Sequence, residues 1–168
     1  MARRTIDIRD FPENCTCSQL RRAARRVSRY YDLCLAATGL KSTQYTLLGF
    51  LGSEGPMTMA SLANAMTMDR ATMGHNLRPL ERDGLVRIKI SEEDRRVRQV
   101  TITDRGESAL LAAYPAWQRA RSGFESAFGV HEAGHLRELM TRVIEAPLPR
   151  VDPEPTQSSS GQGRRKRK

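Results

Sequence analysis

Aromatic residues make up only 5% of this 168-residue chain. Cysteine is scarce too: Cys15, Cys17 and Cys34 are the three present. An odd number of thiols does not build a disulfide framework, which excludes a disulfide-stapled secreted scaffold. No uninterrupted apolar run approaches the roughly 18 residues a membrane-spanning helix needs. The start, Met1-Ala-Arg-Arg-Thr-Ile-Asp-Ile, has no apolar stretch of secretory length, so a cytoplasmic protein without membrane contact is expected. There is no Gly-rich phosphate loop, no Ser/His/Asp array and no internal repeat, so neither an enzyme nor a cofactor is expected.

Acid is also short. Against 28 Lys and Arg stand 19 Asp and Glu, a net charge of +9. The first 15 residues hold three Arg and three acids and cancel. The last 22 hold six basic residues and two acids, leaving 19 and 14 for residues 16–146, a net +5. The central part is therefore basic without its ends, and a basic domain prefers polyanions.

What is present is helical periodicity. Cys17, Leu20, Ala24, Val27, Tyr31 and Cys34 are spaced 3, 4, 3, 4, 3, one apolar stripe that Gly39 can stop. Ser42 or Thr43 can cap a second helix carrying Tyr45, Leu47, Leu48 and Leu51, which Gly55-Pro56 breaks. Thr58 opens a short helix with Leu62, Ala63 and Met66 inward. Asp69 caps another, through Met73, Leu77 and Leu80, ended by Gly84. Leu85–Ile90 alternates as a strand, Ser91–Arg95 is a polar turn, and Val97–Ile102 returns, so the two form a hairpin. Thr103 caps a long helix whose Leu110, Ala113, Trp117, Ala120, Phe124 and Ala127 repeat the 3, 4 spacing, with a kink expected at Pro115. After Gly129 a last helix carries Leu136, Leu139, Met140, Val143 and Ile144. Residues 1–14 read as an arm. Residues 147–168 read as a disordered basic tail ending Arg-Arg-Lys-Arg-Lys.

A pair of short helices followed by a basic hairpin is the plan of a winged helix-turn-helix. The second helix of such a pair enters the DNA major groove, about 12 Å wide. The helix from Asp69 offers Arg70 and Arg78 for phosphate or guanine, Asn76 for adenine, and Thr72 and His75 as short polar readers. The hairpin adds Lys89, Arg95, Arg96 and Arg98, and arginine suits the strong negative potential of a narrow minor groove.

Residues 58–106 resemble the multiple-antibiotic-resistance regulator (MarR) family. The resemblance rests on Leu62-Ala63, on Met68-Asp69-Arg70-Ala71-Thr72-Met73 and on Leu80-Glu81-Arg82-Asp83-Gly84-Leu85-Val86. Asp94-Arg95-Arg96 followed by Val100-Thr101-Ile102-Thr103 is similar to the wing signature, with Ile102 where the family usually has Leu. Pro79, Gly74 and His75 depart from the family pattern within the recognition helix. The resemblance extends less specifically over about 17–146. It implies a mainly α protein with a small β-hairpin wing: a winged unit over about 42–103 and dimerisation helices over about 15–38 and 104–146, within a domain 15–146. It implies a homodimeric, sequence-specific regulator of transcription, most simply a repressor at a pseudo-palindromic operator in double-stranded DNA. Arg96 would enter the minor groove, oriented by a salt bridge from Asp94. The stripes on both terminal helices exceed what a small winged domain covers alone, which favours a two-fold interface.

The resemblance also implies an effector, a small aromatic or anionic molecule, with Arg21, Ser28, Tyr31, Gln44 and Tyr45 as candidate pocket residues. Thiol oxidation is the other expected trigger. Cys15 and Cys17 lie at a helix start near Arg21 and Arg22, a setting that favours thiolate, although Cys17 also continues the apolar stripe and Cys34 reads as core. The principal alternative is a non-specific architectural DNA-binding protein using the basic tail. A remote alternative is zinc binding: His131-Glu132-Ala133-Gly134-His135 matches the H-E-x-x-H pattern, with Glu138 or Glu145 as further ligands. Gly134 weakens that helix, surface histidines fit better, and no metal site is expected.

Overall fold

The computed structural model describes residues 13–91 and 94–149. Most of the 1–14 arm and of the 147–168 tail lie outside the described residues. The elements are α1 (Thr16–Leu35), a 3-10 turn (Ala36–Thr38), α2 (Ser42–Glu54), β1 (Met57–Thr58), α3 (Met59–Ala65), α4 (Arg70–Arg82), β2 (Val86–Ile90), β3 (Arg98–Ile102), α5 (Asp104–Phe128) and α6 (Val130–Glu145). The architecture is mainly α with a small wing, as the sequence implies. β1, with no alternation of its own, is an addition. It pairs antiparallel with β3, Met57 opposite Val100, so the hairpin becomes a three-stranded sheet in the order β1-β3-β2.

The caps follow local chemistry. Thr58 accepts from the Ser61 N–H at 3.0 Å and Asp69 from the Thr72 N–H at 2.8 Å. Thr103 Oγ1 accepts from the Gly106 N–H at 3.1 Å and donates to the Gly84 carbonyl at 2.7 Å, tying the start of β2 to α5. The start of α2 differs from expectation. Lys41 is its N-cap, and neither Ser42 nor Thr43 takes that place. Asp32 of α1 instead accepts from both the Ser42 N–H and Oγ, each at 2.7 Å, because the 3-10 turn folds α1 back onto α2. Both helices that contain proline continue through it: α4 at Pro79 and α5 at Pro115.

The core gathers Leu35, Leu47, Leu48, Leu51, Leu62, Met73, Leu77, Leu80, Val100 and Ala113, so α2, α3, α4, the sheet and the first half of α5 enclose one centre. At Gly106 an added Cβ would collide with the Leu85 carbonyl. That close crossing seats α5 directly on the start of the wing. The α1 stripe is less buried than its spacing suggests. Cys17 is exposed, and Leu20, Val27, Tyr31 and Cys34 are half-buried. Cys34 therefore lies outside the core, because α1 packs mainly along α5 and leaves the rest of its apolar face open.

Candidate nucleic-acid interface

α4 is two-faced. Met73, Leu77 and Leu80 are fully buried, while Arg70, Thr72, His75 and Arg78 are exposed along the opposite side. The 3.6-residue period places one face on the core and the other in solvent. Asp69 fixes the start of α4: besides the Thr72 N–H, its carboxylate accepts from Thr72 Oγ1 at 2.7 Å. These hydrogen bonds, the backbone one first, hold the Asp69 carboxyl below its ordinary pKa. Thr72 Oγ1 is thus turned as a donor toward Asp69, leaving its oxygen as an acceptor. Asn76 is half-buried and donates to the Thr72 carbonyl at 2.9 Å, with Met68 Sδ at 3.8 Å.

On the wing, β2 and β3 are in register, Lys89 opposite Gln99 and Ile90 opposite Arg98. Paired residues share a sheet face and successive ones alternate. Lys89 and Arg98 therefore project from opposite faces. Arg87, absent from the sequence-derived candidates, shares the face of Lys89; its place in an alternating strand was the available signal. At the turn, Arg95 and Arg96 are exposed. Asp94 Oδ1 accepts from the Arg96 backbone N–H at 2.9 Å. This Asx turn replaces the expected Asp94–Arg96 salt bridge. The short side chain of Asp94 reaches a backbone donor two residues on, and Arg96 itself is exposed. Among the described residues, none of Arg70, Arg78, Lys89, Arg95, Arg96 and Arg98 forms an ion pair. No carboxylate among the described residues neutralises these six charges.

Of the two recesses described, one takes in Gln44 and neither takes in Arg21, Ser28, Tyr31 or Tyr45. Arg21 and Ser28 are exposed on α1. Gln44 accepts from the Lys41 N–H at 2.9 Å and borders a recess of about 280 Å³ with Thr38, Asp83 and Arg105. Tyr45 stacks on Trp117, ring centres 5.9 Å apart, and Tyr31 meets Tyr30 edge to face at 6.0 Å. Burial raises the pKa of both Tyr31 and Tyr45, the nearby Glu125 charge adding to the effect at Tyr31 and Tyr114 at Tyr45. A larger groove of about 870 Å³ runs between α1, α5 and α6, lined by Val27, Tyr30, Leu33, Phe124, Phe128 and Leu136 among others. Cys15 is half-buried and Cys17 exposed at the start of α1. His131 and His135 are exposed on α6, where His135 Nδ1 lies 3.6 Å from Glu138. Among the described residues no group of three or more His, Cys, Asp or Glu is placed to hold a metal. No described helix is long and apolar enough to cross a membrane.

A helix-turn-helix with one polar face, an exposed basic wing and long flanking helices defines a winged-helix DNA-binding protein. The MarR family model matches residues 40–97. The transcriptional regulator MosR of M. tuberculosis, solved in complex with DNA, is 30% identical. The similarity covers 78% of this chain and 94% of MosR, with a TM-score of 0.71. The HTH-type transcriptional regulator MgrA of Staphylococcus aureus is 27% identical over 131 residues, which is 77% of this chain and 88% of MgrA. The transcriptional repressor CouR, solved on a 23-mer DNA duplex, shares the fold at a TM-score of 0.71 and 21% identity, over 83% of this chain and 98% of CouR. The chain belongs to the MarR family and is a DNA-binding regulator of transcription. Such regulators are not enzymes.

Proposed function

We propose that the chain acts as a homodimeric repressor, reading a pseudo-palindromic operator with α4 in the major groove and the wing in the minor groove. The single observation that carries this is α4 itself, with Met73, Leu77 and Leu80 locked in the core and Arg70, Thr72, His75 and Arg78 presented together outside. Arg78 and Arg70 would meet phosphate or guanine, Asn76 adenine, and Arg96 the minor groove, with Arg95, Lys89 and Arg98 on flanking phosphates.

A second copy is supported by apolar surface that one chain leaves open. Leu33 is 69% exposed, Phe128 49%, Val130 65% and Ile144 67%, all on α1, α5 and α6. Patches of this kind mark interfaces. The domain division follows: residues 42–103 as the DNA-binding unit, with the helices before and after it as the dimer unit. Two recognition helices must span half-sites roughly 34–36 Å apart, so a small rotation between protomers loses the fit. A small aromatic or anionic effector, or oxidation at Cys15 or Cys17, would supply that rotation.

The test is fluorescence anisotropy on DNA from upstream of the protein's own gene, with scrambled competitor, at about 150 mM salt, where non-specific contacts weaken. Saturable binding that survives competitor supports operator reading, and effectors can be screened on the same probe. Binding erased by competitor, with no operator recovered by genome-wide selection, would favour a non-specific architectural role.

A further inference from the structure

Methionine is concentrated where α3 turns into α4. Of the seven in the chain, Met57, Met59, Met66, Met68 and Met73 fall within one short stretch. Met73 is sealed in the core, but Met66 and Met68 are half-buried at the turn. Thr67 between them holds φ at 52°, a left-handed conformation uncommon for a β-branched residue. The turn is held by the Thr67 N–H on the Asn64 carbonyl at 3.0 Å and the Met68 N–H on the Ala63 carbonyl at 2.8 Å. So fixed, the Met68 thioether lies against α4, its Sδ 3.8 Å from Asn76 Nδ2.

This contact matters for what Asn76 can do. Its amide carries two N–H groups; one is taken by the Thr72 carbonyl and the other faces sulfur. A thioether is a weak acceptor, so that N–H is released at little cost. Pairing with adenine needs both the amide oxygen and an N–H.

We propose that Met68 is an oxidation site that controls base reading by Asn76. This rests on the reading of Asn76 as a DNA-facing residue. Hydrogen peroxide is the oxidant. The Sδ lone pair attacks a peroxide oxygen, the S–O bond forms as the O–O bond breaks, and sulfur gives up two electrons. The departing hydroxide takes the proton from the new S–OH group, leaving methionine sulfoxide and water. The sulfoxide oxygen is a strong acceptor in place of a weak one and bridges the long gap to Nδ2. It holds the N–H that adenine requires. Methionine sulfoxide reductase reverses the change, and thiol reductants do not, which separates it from chemistry at the three cysteines.

The experiment treats the full chain with hydrogen peroxide and then dithiothreitol, confirms the added oxygen at Met68 by peptide mass spectrometry, and measures operator affinity. Affinity is expected to fall roughly 5- to 150-fold, the range that one lost bidentate base contact gives. Methionine sulfoxide reductase should restore it. Met68→Leu, close in volume, should keep its affinity through the same treatment. Met68→Gln, which places an amide oxygen near that point, should bind weakly without oxidant. If Met68→Leu loses as much affinity as the parent, or if protein oxidised at Met68 binds unchanged, the proposal is overturned while the reading of Asn76 stands. If Asn76→Ala in reduced protein binds unchanged, that reading fails and the proposal falls with it.

Discussion

The Asp69 carboxylate accepts two hydrogen bonds from a single residue, Thr72, at 2.8 Å from its N–H and 2.7 Å from its Oγ1. One pair of side chains thus sets both where the candidate recognition helix starts and how its first polar reader is turned. Both bonds favour ionised Asp69, whose pKa lies below the ordinary carboxylate value. The sign follows from linkage. The stabilisation is fully present above the unfolded carboxylate pKa of about 3.9, and it is lost as pH falls through the lowered folded value. Urea unfolding followed from about pH 5 to about pH 2 should show this acid-side loss. Asp69→Asn can still cap but cannot titrate, so its curve should be flatter; identical slopes would remove Asp69 as the cause.

Two glycines should respond oppositely to alanine. A Cβ at Gly106 meets the Leu85 carbonyl and, at 2.8 Å, Ile102 Cγ1. Backbone cannot swing aside as a side chain can, so Gly106→Ala should cost about 1–3 kcal/mol, the usual penalty of overpacking. At Gly74, within α4, a Cβ meets nothing within 4 Å. Gly74→Ala should therefore stabilise by about 0.5–1 kcal/mol through helix propensity alone. Thermal unfolding of both variants checks the pair.

Arg96→Ala should weaken DNA binding by a few kcal/mol at most and leave the melting temperature unchanged. The side chain is exposed, and its backbone N–H keeps the bond to Asp94. Affinity measured across salt concentrations separates the wing positions. Replacing a phosphate-neutralising Lys89 or Arg98 should flatten the salt slope by about one unit. Unchanged affinity in Arg96→Ala would remove the minor-groove contact.

Leu33→Glu should turn the proposed dimer into monomer. Leu33 lies on the groove between α1, α5 and α6 and is 69% exposed in the single chain. Burying a leucine is worth about 1.5–3 kcal/mol, and a charge in its place must be desolvated. Sedimentation equilibrium should show a dimer for the parent and a monomer for the variant, with operator affinity falling in parallel. A monomeric parent would sink the two-fold model directly.

What the sequence determined by itself is whatever depends on near neighbours. The caps at Thr58, Asp69 and Thr103 were legible because a capping oxygen reaches only two or three residues along. The buried face of α4 was legible because Met73, Leu77 and Leu80 obey the helical period. The motif at Met68–Met73 and the basic turn at Asp94–Arg96 carried the family resemblance for the same local reason. What only the tertiary structure decided depends on segments far apart in the chain. β1 exists because Met57 finds Val100 across the fold, and two residues have no period to read. Asp32 caps the start of α2 from another helix. Lys89 and Arg98, similar in sequence, part to opposite faces once the register of the hairpin is set. The apolar stripe of α1 declared its spacing but not its burial, which depends on how much of that face α5 covers. Periodicity and capping act over one turn of helix; register, crossing and coverage are settled only when the whole chain closes on itself.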